Sequence, residues 1–263
     1  MTARVVAALI LLGAGCGTSQ PETAPAPAPP RAAAVQAAPT TPEAAVERLR
    51  EARKLATGGD VTRAREAAQS VAPEAERSGW WEIASDAHFM VGEMRDRERV
   101  AREAADAYAR SFDASRRVAD APRGVRALNA LANAFIDAGA LDKSVEVSQE
   151  ALRLAQRGGI LGGQATALNN LGEAHRLGGR HAEAAENYTR ALRLARQAED
   201  RRAELAILMN LGAAERRLGR PENARRHFTT AREIGLALND AQAVSYARWN
   251  LEQIEGELKG KGR

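Results

Sequence analysis

The stretch "ALNNLGEAHRLGGRHAEAAENYTRAL" at residues 167–192 decides the fold, because the chain contains it more than once. "ALNALANAFIDAGALDKSVEVSQEAL" at 127–152 and "ILMNLGAAERRLGRPENARRHFTTAR" at 207–232 align with it without a gap, at a spacing of forty residues. Leu131, Leu171, Leu211 and Leu251 form one column, which Val91 extends upstream. Gly139, Gly179 and Gly219 form a second, with Gly59 at the same phase. The small residues Ala64, Ala104, Ser144, Ala184 and Ala224 make a third, and Tyr108, Tyr188 and Phe228 a fourth, in which the third unit has Ser148. Independent columns that keep one period are the signature of a stacked-repeat architecture.

Each unit reads as two helices. In the fourth, residues 162–178 carry Ala165, Leu168, Leu171 and Gly172 at three- to four-residue spacing, and Leu177 continues the face. Gly178 and Gly179 then end that helix, since glycine enters left-handed geometry without steric cost. A second helix over about 181–198 places Ala184, Ala185, Tyr188, Ala191 and Leu192 on one side. Pro221 and Pro42 stand at first turns, where a missing N–H is harmless. Gly92, Ala132, Gly172 and Gly212, beside the leucines, predict close helix approach with the tyrosine or phenylalanine filling the space beyond. Glu252 replaces that small residue in the last copy, so residues 242–258 read as the solvent-facing cap that a stack requires.

The pattern resembles the tetratricopeptide repeat family, in its longer-period form of about forty residues, as in kinesin light chains. The family's consensus places fall on Leu171, Gly172, His175, Gly179, Ala184, Tyr188 and Ala191. The resemblance covers 43–258 and is strongest over 122–235; the first unit has Thr57 where later units have leucine, and the second has Arg99 for the turn glycine. It implies an all-α, right-handed superhelical solenoid of five antiparallel helix pairs over 42–258, closed by a capping helix and followed by a disordered tail at 259–263. It also implies that the first helix of each pair lines a concave groove. The groove places are Asp86, Phe89, Met90 and Glu93; Arg126, Asn129, Ala130 and Asn133; Thr166, Asn169, Asn170 and Glu173; Ala206, Met209, Asn210 and Ala213; and Tyr246, Trp249, Asn250 and Gln253.

Asn170, Asn210 and Asn250 recur forty apart, immediately before the leucines. A carboxamide both donates and accepts, which suits the alternating N–H and C=O of an extended peptide. The family resemblance implies the same use. An asparagine on a helix can equally bond a neighbouring helix, and duplication alone can repeat a residue. Tyr246 and Trp249 read either as anchors of a peptide pocket or as hydrophobic cover for the last interface. Trp80 and Trp81, between the first two units, read as packing residues.

The first forty residues differ in kind. "MTARVVAALILLGAG" has one basic residue, Arg4, an apolar run from Val5 to Leu12, and small residues at 13–15, the anatomy of a secretory signal too short to span a bilayer. "GAGC" at 13–16 resembles the cleavage box of bacterial lipoproteins, although Leu12 lies four positions before the cysteine where that family usually has three. The resemblance implies a signal peptide at 1–15 and acylation of Cys16, the only cysteine in the chain. Several acyl chains would hold a protein at a membrane that one chain holds only marginally. In lipoproteins of Gram-negative bacteria an aspartate after the cysteine retains the protein at the inner membrane, so with Gly17 there the resemblance implies the outer membrane, the body facing the periplasm. From Cys16 to Thr41 the chain is rich in alanine and proline, with seven of its ten prolines between 21 and 42, and reads as an extended tether.

Composition narrows the function. One cysteine excludes an internal disulfide and a thiolate zinc cluster. The net charge is +4, but arginines and carboxylates are interleaved and no basic stripe suggests nucleic acid. His88, His175, His181 and His227 occupy different phases of the repeat, and no glycine-rich loop with a lysine offers a phosphate cradle. The expectation is a non-catalytic scaffold without cofactor or metal, lipid-anchored in the bacterial envelope, whose groove takes an extended segment of another envelope protein during assembly of secretion or pilus machinery. The other reading is an accessory subunit of cell-wall or polysaccharide machinery that recruits an enzyme or touches carbohydrate.

Overall fold

The structure, a computed structural model, describes residues 38–261. The expected signal peptide, Cys16 and nearly all of the expected tether lie outside the described residues. All secondary structure among the described residues is α-helical. The helices are α1 (Pro42–Thr57), α2 (Val61–Arg77), α3 (Trp81–Arg97), α4 (Ala101–Arg117), α5 (Ala121–Asp137), α6 (Leu141–Arg157), α7 (Leu161–Leu177), α8 (His181–Gln197), α9 (Arg201–Arg217), α10 (Pro221–Ala237) and α11 (Ala241–Lys261).

Nine consecutive helices, α2 to α10, are each 17 residues long. Between them one residue in every twenty takes left-handed geometry: Gly59, Gly79, Arg99, Ala119, Gly139, Gly159, Gly179, Glu199, Gly219 and Asn239. The forty-residue sequence period is therefore two turns of a twenty-residue backbone period. Where the turn residue carries a Cβ, as at Ala119 with φ of 52°, the packing of the flanking helices holds it there against an intrinsic penalty of about 1 kcal/mol.

Side chains cap several of these helices. Thr41, Asp60, Asp120, Asp200 and Asp240 each accept a hydrogen bond from the backbone N–H three residues on. At Asp120 the bond from the Arg123 N–H, at 2.9 Å, is the main cause that holds the carboxyl below its usual range, with the Arg123 guanidinium adding to it. A carboxylate depressed in the folded state stabilises above its unfolded pKa, and that stabilisation is lost as pH falls through the folded value. Asp120→Ala should therefore lower unfolding free energy by about 1 kcal/mol at neutral pH. Urea unfolding repeated at about pH 2–3 should show that gap narrowing.

Each helix packs antiparallel against the next, and the substantial contacts between alternate helices join α1 to α3, α3 to α5, α5 to α7 and α7 to α9. The odd-numbered helices therefore lie on the tighter, inner side of the curved stack, and the even-numbered ones outside.

The leucine column is core: Leu131, Leu171 and Leu211 are all buried. So are the rings of Tyr108, Tyr188 and Phe228. A Cβ placed on Gly92 would lie 2.5 Å from the Tyr108 ring, on Gly172 2.6 Å from Tyr188, and on Gly212 2.9 Å from Phe228. Glycine and ring are thus complementary halves of one contact. The third unit lacks the ring, having Ser148, and there the glycine place admits the Cβ of Ala132.

The cap differs from its expected extent. α11 starts at Ala241 and continues to Lys261, past the expected end at 258, and Leu258 packs on the terminal cluster of Ala224, Phe228, Ala247 and Ile254. Glu252 is solvent-exposed on this helix. No helix among the described residues is long and apolar enough to cross a membrane.

Candidate binding groove

The inner face exists because odd-numbered helices approach one another, and between α5 and α7 that approach is closest. Gly163 makes it possible: a Cβ there would fall 2.4 Å from a Val125 methyl. The "LGGQ" at 161–164 was the sequence signal for this contact, a glycine where close backbone approach is required. Just beside it the groove deepens into a cavity of about 520 Å³ lined by α5 and α7, with Arg126, Asn129, Asn133, Thr166 and Asn170 as its polar groups. Pro122, Val125 and Ile160 supply apolar wall, three residues that the repeat pattern alone does not single out.

The asparagines divide by burial. Asn170 is buried and its Nδ2 donates to the Asn129 carbonyl at 2.9 Å, while the Asn129 Nδ2 donates to the Gly163 carbonyl at 3.1 Å. These two amides clamp α5 and α7 together reciprocally. Half-buried Asn210 donates from Nδ2 to Oδ1 of Asn169 at 3.0 Å, a second tie between first helices. Asn250, also buried, donates to the Tyr246 carbonyl one turn back on its own helix. The column expected to grip a ligand thus has its donors engaged within the solenoid: Asn170 and Asn210 bond the neighbouring repeat, and Asn250 bonds its own helix. Met90, expected in the groove, is core at 2% exposure.

Other groove residues are presented outward. Asn133 is exposed, Asn169 is half-buried, and Arg126 is fixed by a 2.7 Å bond from its Nη2 to Asp86 while its guanidinium lies 4.1 Å over the Phe89 ring. Arg123 joins the same network, donating to Asp86 at 3.3 Å and to its own cap Asp120. Half-buried Glu173 feels burial that raises its pKa, but bonds from Arg176 and the Tyr188 hydroxyl outweigh it and hold the carboxyl below its usual range.

Towards the other end the face changes chemistry. Ala206 is exposed, Met209 and Ala213 are half-buried against the terminal cluster, and on α11 Tyr246 and Trp249 remain 46% and 51% exposed. Tyr246 meets Phe228 edge-on at 6.2 Å, and the Arg216 guanidinium lies 6.0 Å from the Trp249 ring while bonding Glu257. The inner face is therefore polar and charged over α3–α7 and apolar and aromatic over α9–α11. Trp80 and Trp81 pack half-buried at the junction of the first two units.

Among the described residues no three His, Cys, Asp or Glu side chains gather as a metal site. Of the histidines, buried His88 pairs with Glu76 at 2.7 Å and His175 accepts from Arg180 at 2.9 Å, each a contact between or beside helices.

A tetratricopeptide repeat family model matches residues 163–249. No curated protein sequence matches the chain significantly. Solved structures similar to it include the apo form of RapI, at a TM-score of 0.71 and 13% identity over 82% of this chain and 84% of that one. A Rap protein complexed with competence and sporulation factor aligns at 0.59 and 18% identity, over 83% and 73%. Nearly identical TPR-like repeats of a putative kinesin light chain from Podosopora anserina align at 0.61 and 15%, over 77% and 100%. The folded body is a solenoid of tetratricopeptide type.

Proposed function

We propose that the protein is a non-catalytic interaction scaffold that holds an extended segment of a partner protein along its inner face. The observation that carries this reading is the groove itself. A cavity of about 520 Å³ is rimmed by a guanidinium fixed in place and by an exposed carboxamide, and an exposed tyrosine and tryptophan continue the same face. Fixed polar groups at one end and aromatic anchors at the other supply orientation and affinity respectively. Support comes also from a structural neighbour that is complexed with competence and sporulation factor. The segment must be ordered on binding, which lowers affinity per unit of buried surface.

The setting belongs to the same proposal. Acylated at Cys16 and released from its signal, the chain would stand off the outer membrane on the alanine- and proline-rich segment, with the solenoid in the periplasm and a secretion or pilus component as partner. Metabolic labelling with a palmitate analogue should mark the wild type and not Cys16→Ser.

Because Asn170 and Asn210 tie neighbouring helices and Asn250 is buried, substituting the three would confound binding with stability. The informative variant is Asn133→Ala/Trp249→Ala, whose side chains are exposed and outside the hydrogen-bonded ties between helices, Trp249 meeting α9 only through the Arg216 guanidinium at 6.0 Å. Partner recovery on the full chain should fall about tenfold with the melting temperature unchanged, as loss of one or two anchor contacts implies. Recovery equal to wild type would remove the groove reading. Sedimentation with cell-wall sacculi that is lost in Trp249→Ala would favour carbohydrate contact instead.

A further inference from the structure

The third unit departs from its neighbours at three columns, and each departure takes cohesion from one helix, α6. Ser144 stands where other units have alanine, Ser148 where the second, fourth and fifth have a ring, and Ala132 where those three have glycine; the first unit, with Ala68 and Ala52 at these places, is a terminal one. The hydroxyls of Ser144 and Ser148 are buried without a hydrogen-bond partner, as is Oδ1 of Asn129. The fully buried side chains of α6 are Ser144, Ser148, Ala151 and Ala155, none larger than alanine or serine. By contrast α4 buries Tyr108, α8 Tyr188 and Leu192, and α10 Phe228 and Ile234. The larger residues of α6, Val145, Val147, Leu152 and Leu154, are only half-buried. Val145 packs on the downstream core and Val147 and Leu154 on the upstream one, while Leu152 touches both.

The other side of the same unit is held firmly. Asn129 and Asn170 tie α5 to α7, and Val125 is seated against Gly163. We propose that α6 is a joint in the middle of the solenoid: it lets go of α5 before any neighbouring outer helix releases, while the asparagine clamp between α5 and α7 serves as the pivot. Opening hydrates the orphaned serine hydroxyls, which lowers the free energy of the open state relative to that of a unit with a buried ring. In a linear stack, such a unit sets where the array yields first. The joint lies directly behind the groove cavity, whose Arg126, Asn129 and Asn133 all belong to α5, so opening and groove shape are linked through one helix.

Hydrogen exchange on the full chain tests this without a ligand. Amides of 141–157 should exchange at least tenfold faster than those of α4 and α8. Ser148→Ala, which removes an orphaned hydroxyl without adding volume, should slow α6 exchange about fivefold and leave α8 unchanged. Ala132→Gly/Ser148→Phe, which copies the Gly212 and Phe228 pairing, should slow it further. Wild-type protection of α6 equal to that of α8 would overturn the proposal, and so would unchanged or faster α6 exchange in Ser148→Ala. These two readings decide it even if the transplanted ring is not accommodated.

Discussion

Gly172→Ala should lower the melting temperature by roughly 4–8 °C, as expected for a loss of about 2 kcal/mol in a body of this size. In an exposed helix the same change would stabilise by up to about 1 kcal/mol, because alanine is the better helix former. Here the added methyl would sit 2.6 Å from the Tyr188 ring, which is fully buried with its hydroxyl bonded to Glu173 and has nowhere to move. The sign of the effect therefore reports the glycine–ring contact. A double-mutant cycle makes it specific: in a Tyr188→Ser background, which mimics the third unit, Gly172→Ala should be neutral or stabilising. The coupling between the sites should then be about 2–3 kcal/mol. Additive effects would show that the column of small residues is an accident of duplication.

The second large effect concerns a buried charge. Glu204 on α9 is 3% exposed, and its carboxylate is held by Arg196 from α8 at 2.7 Å and by Arg201 at 2.5 Å. Arg196→Ala/Arg201→Ala would leave that carboxylate unpaired at the seam of the fourth and fifth units, at a cost of about 2–3 kcal/mol in urea unfolding. Adding Glu204→Leu should recover most of the loss, since it removes the stranded carboxylate and leaves an apolar side chain in its buried place. A triple variant no more stable than the double would mean that the arginines act through packing alone.

The sequence made the stack legible because its strongest columns are the ones burial enforces. Leu131, Leu171 and Leu211 all face inward, as do the rings of Tyr108, Tyr188 and Phe228, so both columns show in the sequence. The twenty-residue turn rhythm was half hidden, since Arg99, Ala119 and Glu199 adopt left-handed geometry without belonging to the residue types that announce it. Gly79 and Gly159 showed the rhythm only where glycine happened to be used. The groove was harder. A helix face is legible from spacing, but whether Asn170 bonds a ligand or the Asn129 carbonyl depends on a partner 41 residues away that only the assembled stack brings within 2.9 Å. Asn133, by contrast, is exposed on the face that the repeat spacing assigns to it.

The scaffold reading is tested most directly by placing a photo-crosslinking residue at position 133 in the groove and, separately, at exposed position 190 on the outer helix α8, in the intact cell. A groove that takes an extended segment predicts a discrete adduct from 133, mapping by mass spectrometry to one short linear stretch of a partner, and none of that species from 190. The same adduct from both positions, or one from 190 alone, would contradict it.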